Sequence, residues 1–210
     1  MTLFEKPIVM IDFETTGLSP EQGDRITEVA ALRIVKGVVV ERYVSLINCE
    51  VRIPSFITGL TGITQAMLDG APPVAQVLPR LLEFIGSDAL SAHNASFDEK
   101  FLRAESARLG MMPAHRGLVC SLKLSRRVFP GLSSYKLGML SNQLGIRFNN
   151  TAHRAEADAE VAANVLVHIG GHLISRYGIA AIDADLLMSV NRLSAAKVPQ
   201  FLQSQALTRR

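Results

Sequence analysis

Short apolar runs in the first half of the chain predict β-strands. Residues 8–13 form an apolar, β-branched run that is typical of a buried central strand. Residues 25–35 and 38–47 form two further strand-like runs, and Lys36 and Gly37 between them favour a hairpin turn. A shorter strand is expected at residues 89–93. These runs predict a sheet whose first three strands follow each other directly along the chain.

Helical spacing prevails in the remaining segments. Ser96 and Glu99 fit the S-x-x-E capping box, so we expect a helix to begin at Ser96. Gly170 and Gly171 weaken the pattern of a later, longer helix. Strands followed by helices and a further strand indicate an α/β protein with a mixed sheet flanked by helices. The predicted helices cover residues 74–85, 96–109, 119–129, 135–144, 154–177 and 185–193.

Length and composition are those of one globular domain with a small appendage. The 210 residues are 48% hydrophobic and 20% charged, which is enough for a substantial core. Cys49 and Cys120 form no C-x-x-C motif, which argues against a cysteine-rich zinc site. No signal peptide or membrane span is recognisable, so we expect a cytoplasmic protein without a membrane partner. We assign residues 1–178 to the main domain and residues 179–210 to a short, separate helical tail.

One long segment of the chain is basic. Residues 106–155 contain no Asp or Glu, although the chain has 19 acidic residues. A solvated basic face accounts for this composition as well as a surface for a polyanion does. Composition alone leaves both interpretations open. The basic residues of the segment are Arg108, Arg116, Lys123, Arg126, Arg127, Lys136, Arg147 and Arg154.

Asp12 and Glu14 stand at the end of the first apolar strand. Because they are two positions apart, both side chains are expected on the same face of the sheet. A pair of acids at a strand end more often just reaches solvent. The turn Thr15-Thr16-Gly17 that follows shifts this balance, since its backbone N–H groups and hydroxyls offer donors to a phosphate or sugar oxygen.

Asp98 is a third candidate acid. It falls in the first turn of the helix expected from Ser96, where its charge also complements the helix dipole. His93 and Asn94 end the preceding strand, which brings Asp98 to the sheet edge where sites of α/β proteins usually lie.

Asp158 continues the apolar stripe of the long helix. Ala162, Val165 and Ile169 share that stripe, so we expect a buried carboxylate, for which a cation is the natural partner. His153 lies five residues earlier, about 140° around an ideal helix, and cannot share that face. We therefore place His153 in the loop before the helix, where it can turn toward the acids.

Three segments together resemble the motifs of the DnaQ-like 3′→5′ exonucleases with DEDDh active sites. They are Asp12-Phe-Glu-Thr-Thr-Gly17, His93-Asn-Ala-Ser-Phe-Asp98 and His153-Arg-Ala-Glu-Ala-Asp158. Three further segments look like the same family: Gly23-Asp-Arg-Ile26, Thr61-Gly-Ile-Thr64 and Phe129-Pro-Gly-Leu-Ser-Ser-Tyr-Lys-Leu137. The resemblance covers roughly residues 7–176, in the family's order and spacing. The interval between His153 and Asp158 matches the histidine branch rather than the tyrosine branch.

The resemblance implies a ribonuclease-H-like fold, with a mixed five-stranded sheet flanked by helices on both faces. It also implies two divalent ions, Mg²⁺ or Mn²⁺, at the scissile phosphate. Asp12 would bridge both ions, Glu14 and Asp158 would complete the site that activates water, and Asp98 would support the second ion. His153 would be the general base, and a nucleoside 5′-monophosphate would leave.

Family analogy also indicates the contacts to the substrate. It places the backbone of the Thr15-to-Leu18 turn around the terminal nucleotide, with Leu18 against the last base. These contacts read no sequence, so action on any 3′ end is expected. The full set of expected substrate contacts is Thr15, Thr16, Gly17, Leu18, His93 and Asn94.

The substrate and the partners stay open at this point. We favour DNA over RNA because the Gly23-to-Ile26 segment and the Ser-Tyr-Lys-Leu segment look most like proofreading members of the family. A DNA polymerase or a second copy of the chain is a candidate partner, and a free-standing repair nuclease is an equal alternative. A haloacid-dehalogenase phosphatase would need Asp at position 14, where Glu14 stands. A non-catalytic nucleic-acid-binding protein on the same fold is the alternative of another class.

Overall fold

The computed structural model describes residues 1–147 and 153–208. Its strands are β1 (Thr2–Leu3), β2 (Ile8–Thr15), β3 (Ile26–Val35), β4 (Val38–Leu46), β5 (Ala89–Ala92), β6 (Leu118–Cys120) and β7 (Ala181–Ile182). The main sheet of this part of the chain has five strands in the order β4-β3-β2-β5-β6. β2, β5 and β6 run parallel, whereas β3 is antiparallel to both β2 and β4. The predicted mixed five-stranded sheet is confirmed.

Helices cover both faces of this sheet, as predicted. They are α1 (Ser55–Thr61), α2 (Gln65–Asp69), α3 (Val74–Ile85), α4 (Ala95–Arg108), α5 (Ser121–Val128), α6 (Leu137–Gln143), α7 (Ala155–Tyr177), α8 (Ala184–Arg192) and α9 (Val198–Thr208). In β2, Ile8 and Met10 belong to the core beneath α7. The alternate residues Val9, Ile11 and Phe13 belong to the core beneath α3 and α4. The strand is therefore apolar on both faces until it reaches its polar end.

Two local predictions are wrong. The helix expected over residues 119–129 begins at Ser121, because residues 118–120 instead add strand β6 to the edge of β5. This pairing satisfies backbone groups through a distant segment, which helical spacing cannot reveal. Helix α4 begins at Ala95 after Asn94, whose φ is 77°, and no side chain caps it. Ser96 is therefore the second residue of the helix and not its cap.

The two glycines inside α7 do not interrupt it. A Cβ atom at Gly170 would overlap the side chain of Leu3. The missing side chain therefore lets β1 lie close against the helix, which offsets the low helix propensity of glycine.

The C-terminal segment forms α8 and α9 and packs onto the main domain, whereas the sequence suggested a separate tail. β7 pairs with β1 at the other end of the chain. In α8, the side chain of Asn191 accepts the N–H of Cys120 at 2.7 Å and donates to its C=O at 3.1 Å, which closes the edge of β6. The boundary after residue 178 stays a prediction. The buried tail residues that join the core beneath α7 are Ile179, Ile182, Leu187, Val190, Val198 and Leu202.

Candidate active site

Three carboxylates meet where β2 ends. Asp12 and Glu14 continue the alternation of Ile8 and Met10, so both lie on the α7 face of the sheet. Asp158 lies in the first turn of α7. Oxygen atoms of Asp12, Glu14 and Asp158 lie within 4.8 Å of one another. Hard oxygen donors at this spacing fit a divalent cation.

Asp98 reaches the same region from α4, on the opposite face of the sheet. Its side chain is buried, and Oδ1 accepts the backbone N–H of Phe13 at 3.3 Å. The charge of Asp98 contributes to raising the pKa of Asp12, so the two carboxylates are neighbours. The structure thus brings together the four predicted acids as a triad with Asp98 beside it.

Burial raises the pKa of all four acids, and repulsion between acids adds to this effect for Asp12, Glu14 and Asp98. Burial, followed by the charges of Asp98, Asp158 and Glu14, raises the pKa of Asp12 well above its ordinary value. Burial is also the main reason that the pKa of Glu14 rises to about 7 and that of Asp98 to about 8. Burial raises the pKa of Asp158 as well, against the opposing effect of a hydrogen bond from His153. Ionising the whole cluster therefore calls for a compensating cation.

Asp158 is less buried than its helical stripe predicts. Ala162, Val165 and Ile169 are fully buried, but Asp158 is only half-buried, because α7 begins at Ala155 and its first turn lies at the rim of the core. The carboxylate can therefore meet a ligand from solvent.

His153 precedes α7, as its spacing from Asp158 predicts. Its residue is exposed, and its backbone has a φ of 66°. The backbone N–H of His153 donates to Oδ2 of Asp158 at 3.1 Å. This bond anchors the backbone of His153 to the acid cluster while its side chain faces solvent.

The ion pair between Glu28 and Arg154 is a part of the site that the sequence did not predict. Glu28 lies opposite Glu14 in the β2–β3 register and is 2% exposed. Its carboxylate accepts hydrogen bonds from Nη2 and Nε of Arg154, at 2.6 and 3.1 Å, and from the N–H of Ala155 at 3.0 Å. Glu28 therefore holds the first residues of α7 against the sheet. The signal in the sequence is Arg154 itself, a cation between two candidate site residues, whose partner lies 126 positions away.

The turn after β2 is built around Asp24. Thr16 Oγ1 donates to Oδ1 of Asp24 at 3.3 Å, and the N–H of Ser19 donates to Oδ2 at 2.9 Å. Gly17 lies so close to this carboxylate that a Cβ atom would overlap it. Thr15 Oγ1 donates to the C=O of Gly17 at 2.6 Å. Both threonine hydroxyls thus donate within the turn and help to hold its shape.

The remaining predicted substrate contacts differ in their surroundings. Leu18 is 76% exposed, and Asn94 is also exposed. His93, in contrast, uses both ring nitrogens inside the protein, with Nδ1 2.9 Å from Ser121 Oγ and Nε2 2.9 Å from the C=O of Tyr135. In the structure His93 joins β5 to α5, and its contact with substrate stays a prediction.

Carboxylates that converge at the polar end of the central strand of a mixed five-stranded sheet form a site that fits a divalent cation. The family model described as an exonuclease matches residues 9–166. The chain therefore belongs to the exonuclease family, and its motifs place it among the DnaQ-like, metal-dependent 3′→5′ exonucleases.

Individual relatives agree with this assignment. The chain is 36% identical over 177 residues to DNA polymerase III subunit epsilon of Aquifex aeolicus (strain VF5), which covers 84% of this chain and 87% of that protein. It is 38% identical over 161 residues to the 3′-5′ exonuclease DinG of Bacillus subtilis (strain 168), covering 77% of this chain but 17% of that protein. The PolC-type DNA polymerase III of Clostridium perfringens matches over 11% of its length. This chain thus spans most of the epsilon subunit but a small part of the longer relatives.

A solved structure supports the fold. The structure of exonuclease X in complex with 5′ overhanging duplex DNA superposes with a TM-score of 0.69 at 26% sequence identity. The superposition covers 88% of this chain and 99% of the exonuclease X chain. Within residues 1–147 and 153–208, no helix is long and apolar enough to cross a membrane.

Proposed function

We propose that this exonuclease trims single-stranded or mismatched 3′ ends of DNA and releases nucleoside 5′-monophosphates, in proofreading, repair or end trimming. The observation that carries the proposal is the convergence of Asp12, Glu14 and Asp158 within 4.8 Å, next to exposed His153. DNA is favoured over RNA because the epsilon relative is a DNA polymerase subunit and exonuclease X is seen on DNA. The proposal includes a cytoplasmic location and a DNA polymerase or a second copy of the chain as candidate partners.

The acids would hold two ions, Mg²⁺ or Mn²⁺. Asp12 would contact both, Glu14 and Asp158 would complete one site, and Asp98 would support the other. When bound, such ions offset the charge of the carboxylates and the phosphate and make water more acidic. The raised pKa values of Glu14 and Asp98 support this assignment, because a cation is what allows the cluster to ionise.

His153 would take the proton of the attacking water. Its exposed side chain can approach a phosphate at the end of β2, while its backbone stays anchored to Asp158. The backbone of the turn from Thr15 to Leu18 would contact the terminal nucleotide, and exposed Leu18 would pack on its base. Such contacts to backbone and base face carry no sequence information, so any 3′ end would serve.

Digestion of end-labelled strands tests this proposal. The protein with Mg²⁺ or Mn²⁺ is incubated with single-stranded DNA, with a duplex carrying a 3′ mismatch, and with RNA of the same sequence. We expect stepwise shortening from the 3′ end, release of 5′-monophosphates, loss of activity in EDTA, and faster cleavage of DNA than of RNA. Asp12→Asn is expected to lower kcat by about 10³-fold or more, because it removes a carboxylate that would contact both ions.

Asp185→Asn is the matched control, since Asp185 is an exposed acid on α8. It is expected to behave like the wild type. Wild-type activity in Asp12→Asn would contradict the assigned site. Faster cleavage of RNA than of DNA would show that RNA, and not DNA, is the preferred substrate. Binding of strands without any cleavage would indicate a non-catalytic nucleic-acid-binding protein.

A further inference from the structure

A basic pocket lies along the edge strand β6. Its volume is about 340 Å³, and its walls come from the start of α4, from β6, from α5 and from α8. Arg116, Lys123 and Arg192 line it, and no acidic residue does. Arg116 and Lys123 are near each other in the sequence, whereas Arg192 joins them because α8 packs against β6 and α5.

The three cations are also free of protein partners. Among the described residues, their side chains make no hydrogen bond or ion pair. Two basic residues of the acid-free segment are engaged elsewhere: Arg154 pairs with Glu28, and Arg127 donates to the C=O of Leu193 at 2.6 Å. The pocket thus gathers three exposed cations whose charge no acidic side chain offsets.

Hydrogen bonds join two of the residues that line the pocket. Asn191 lines it and forms two hydrogen bonds with the backbone of Cys120, so the backbone groups of this edge position are already satisfied. A further strand or peptide would therefore find no free edge at Cys120. What the pocket offers a ligand is positive charge.

The pocket lies two strands away from the candidate active site. β6 runs parallel to β5 and β2, so Cys120 ends at the same sheet edge as Glu14. The two strands are separated by β5 alone, a distance of about 10 Å at the usual spacing between strands. Ser96, which lines the pocket, stands two residues before Asp98 on α4.

We propose that this pocket binds backbone phosphates of the nucleic-acid strand, beyond the nucleotide that is cleaved. The inference rests on the proposed function and adds a second contact to it: the acids act on the terminal phosphodiester, and the pocket holds the strand behind it. It also gives the C-terminal segment a role in binding, because Arg192 is the last residue of α8. Exposed cations of this kind contribute affinity through counterion release, which is independent of sequence.

A triple variant, Arg116→Gln, Lys123→Gln and Arg192→Gln, tests the proposal. Two substrates are compared: a 20-nucleotide DNA strand and the p-nitrophenyl ester of thymidine 5′-monophosphate, which has no further phosphate. We expect kcat/KM on the strand to fall about ten-fold or more at low salt, and the rate on the ester to stay within about two-fold of the wild type. For binding in EDTA, the plot of log Kd against log salt concentration should become shallower by about 0.7 per lost phosphate contact.

The control variant removes the same charge elsewhere, at exposed Lys6, Arg80 and Lys197, all changed to Gln. An equal loss in both triple variants, or an unchanged salt slope in the pocket variant, would overturn the proposal. If the triple variant does not fold, Lys123→Gln alone carries the test, with an expected change in slope of about 0.7. Failure of the proposed function looks different, because the wild type would then cleave neither substrate.

Discussion

At the residue scale, Glu28 occupies a position where a second acid would ordinarily destabilise the sheet. It faces Glu14 directly across an antiparallel pair, and like charges in that arrangement repel. The guanidinium of Arg154 and the N–H of Ala155 neutralise this repulsion on the side of Glu28. The buried carboxylate of Glu28 is therefore stable opposite Glu14. It also holds the segment between His153 and Asp158 in place.

Arg154→Ala is expected to lower kcat about ten-fold or more with little change in KM, because Glu28 loses its partner and the start of α7 is released. The free energy of unfolding should fall by about 1–3 kcal/mol. Steady-state kinetics on a DNA strand and urea unfolding measure the two effects. Arg154→Lys should recover part of the stability but less of the rate, since lysine cannot make the same two-pronged contact.

Arg42→Ala is the matched control, because Arg42 pairs with Glu156 and Glu160 on the same helix at exposed positions. Exposed pairs of this kind contribute about 0.2–1 kcal/mol. Equal kinetic effects of Arg42→Ala and Arg154→Ala would show that the Glu28 contact has no special part in placing the site.

The acids themselves predict how stability depends on pH. In the unfolded chain Glu14 and Asp98 ionise near pH 4, whereas in the fold their pKa values are about 7 and about 8. Between these limits the folded state keeps protons that the unfolded state loses, so the free energy of unfolding of the metal-free protein falls as pH rises from about 4 to about 8. Thermal unfolding in EDTA should show a lower Tm at pH 8.5 than at pH 5.

Two variants isolate this effect. Asp98→Asn should raise the Tm at pH 8.5 by roughly 5 °C, because the amide carries no charge to bury. The rise should be much smaller at pH 5, where the buried carboxyl of Asp98 is already protonated. The amide oxygen can still accept the N–H of Phe13, so this hydrogen bond is kept. Mn²⁺ should raise the Tm of the wild type mainly at the higher pH. Asp185→Asn should change neither value, and a Tm difference for Asp98→Asn that is the same at both pH values would contradict the explanation.

At the scale of elements, the strand and helix periods predicted most of the framework, and the errors fall where distant segments meet. Asp12 and Glu14 lie on the same face of the sheet as Ile8 and Met10 because side chains of a strand alternate with a two-residue repeat. This placement needs no tertiary information. Cys120 lies in a strand because β5 offers it an edge, which no local pattern contains. Asp158 follows the right stripe, but its burial depends on where the core ends.

The edge of β6 gives a prediction at this scale. Asn191→Ala removes both partners of the Cys120 backbone, whose residue is buried. Unsatisfied buried groups cost about 1–3 kcal/mol, so the free energy of unfolding should fall by about that amount, as urea denaturation would measure. Asn164→Ala, at an exposed position of α7, is the control and should be near neutral. A neutral Asn191→Ala would mean that other groups satisfy this strand edge.

At the scale of the whole molecule, the two ends of the chain share one core. β1 and β7 pair in parallel, and the N–H of Phe4 donates to the C=O of Ile182 at 2.9 Å. Buried residues of α8 and α9 belong to the same hydrophobic core as those of α7 and of the sheet face beneath it. A ligand pocket that takes Arg192 from α8 and Lys123 from α5 depends on this closure.

Removal of residues 179–210 should therefore abolish cooperative folding rather than release an intact domain. The segment buries several large aliphatic side chains, including Ile182, Leu187, Val190 and Leu202, each worth about 1.5–3 kcal/mol of burial. Their sum is on the order of 10 kcal/mol, close to the whole stability of an ordinary domain. Circular dichroism during heating would show a broad or absent transition for the shortened chain. A chain shortened after Lys197, which loses α9 but keeps α8, should retain a cooperative transition at a lower Tm, because β7 and the Asn191 contacts remain. A sharp transition near the wild-type Tm for residues 1–178 would show instead that the core is complete without the C-terminal segment.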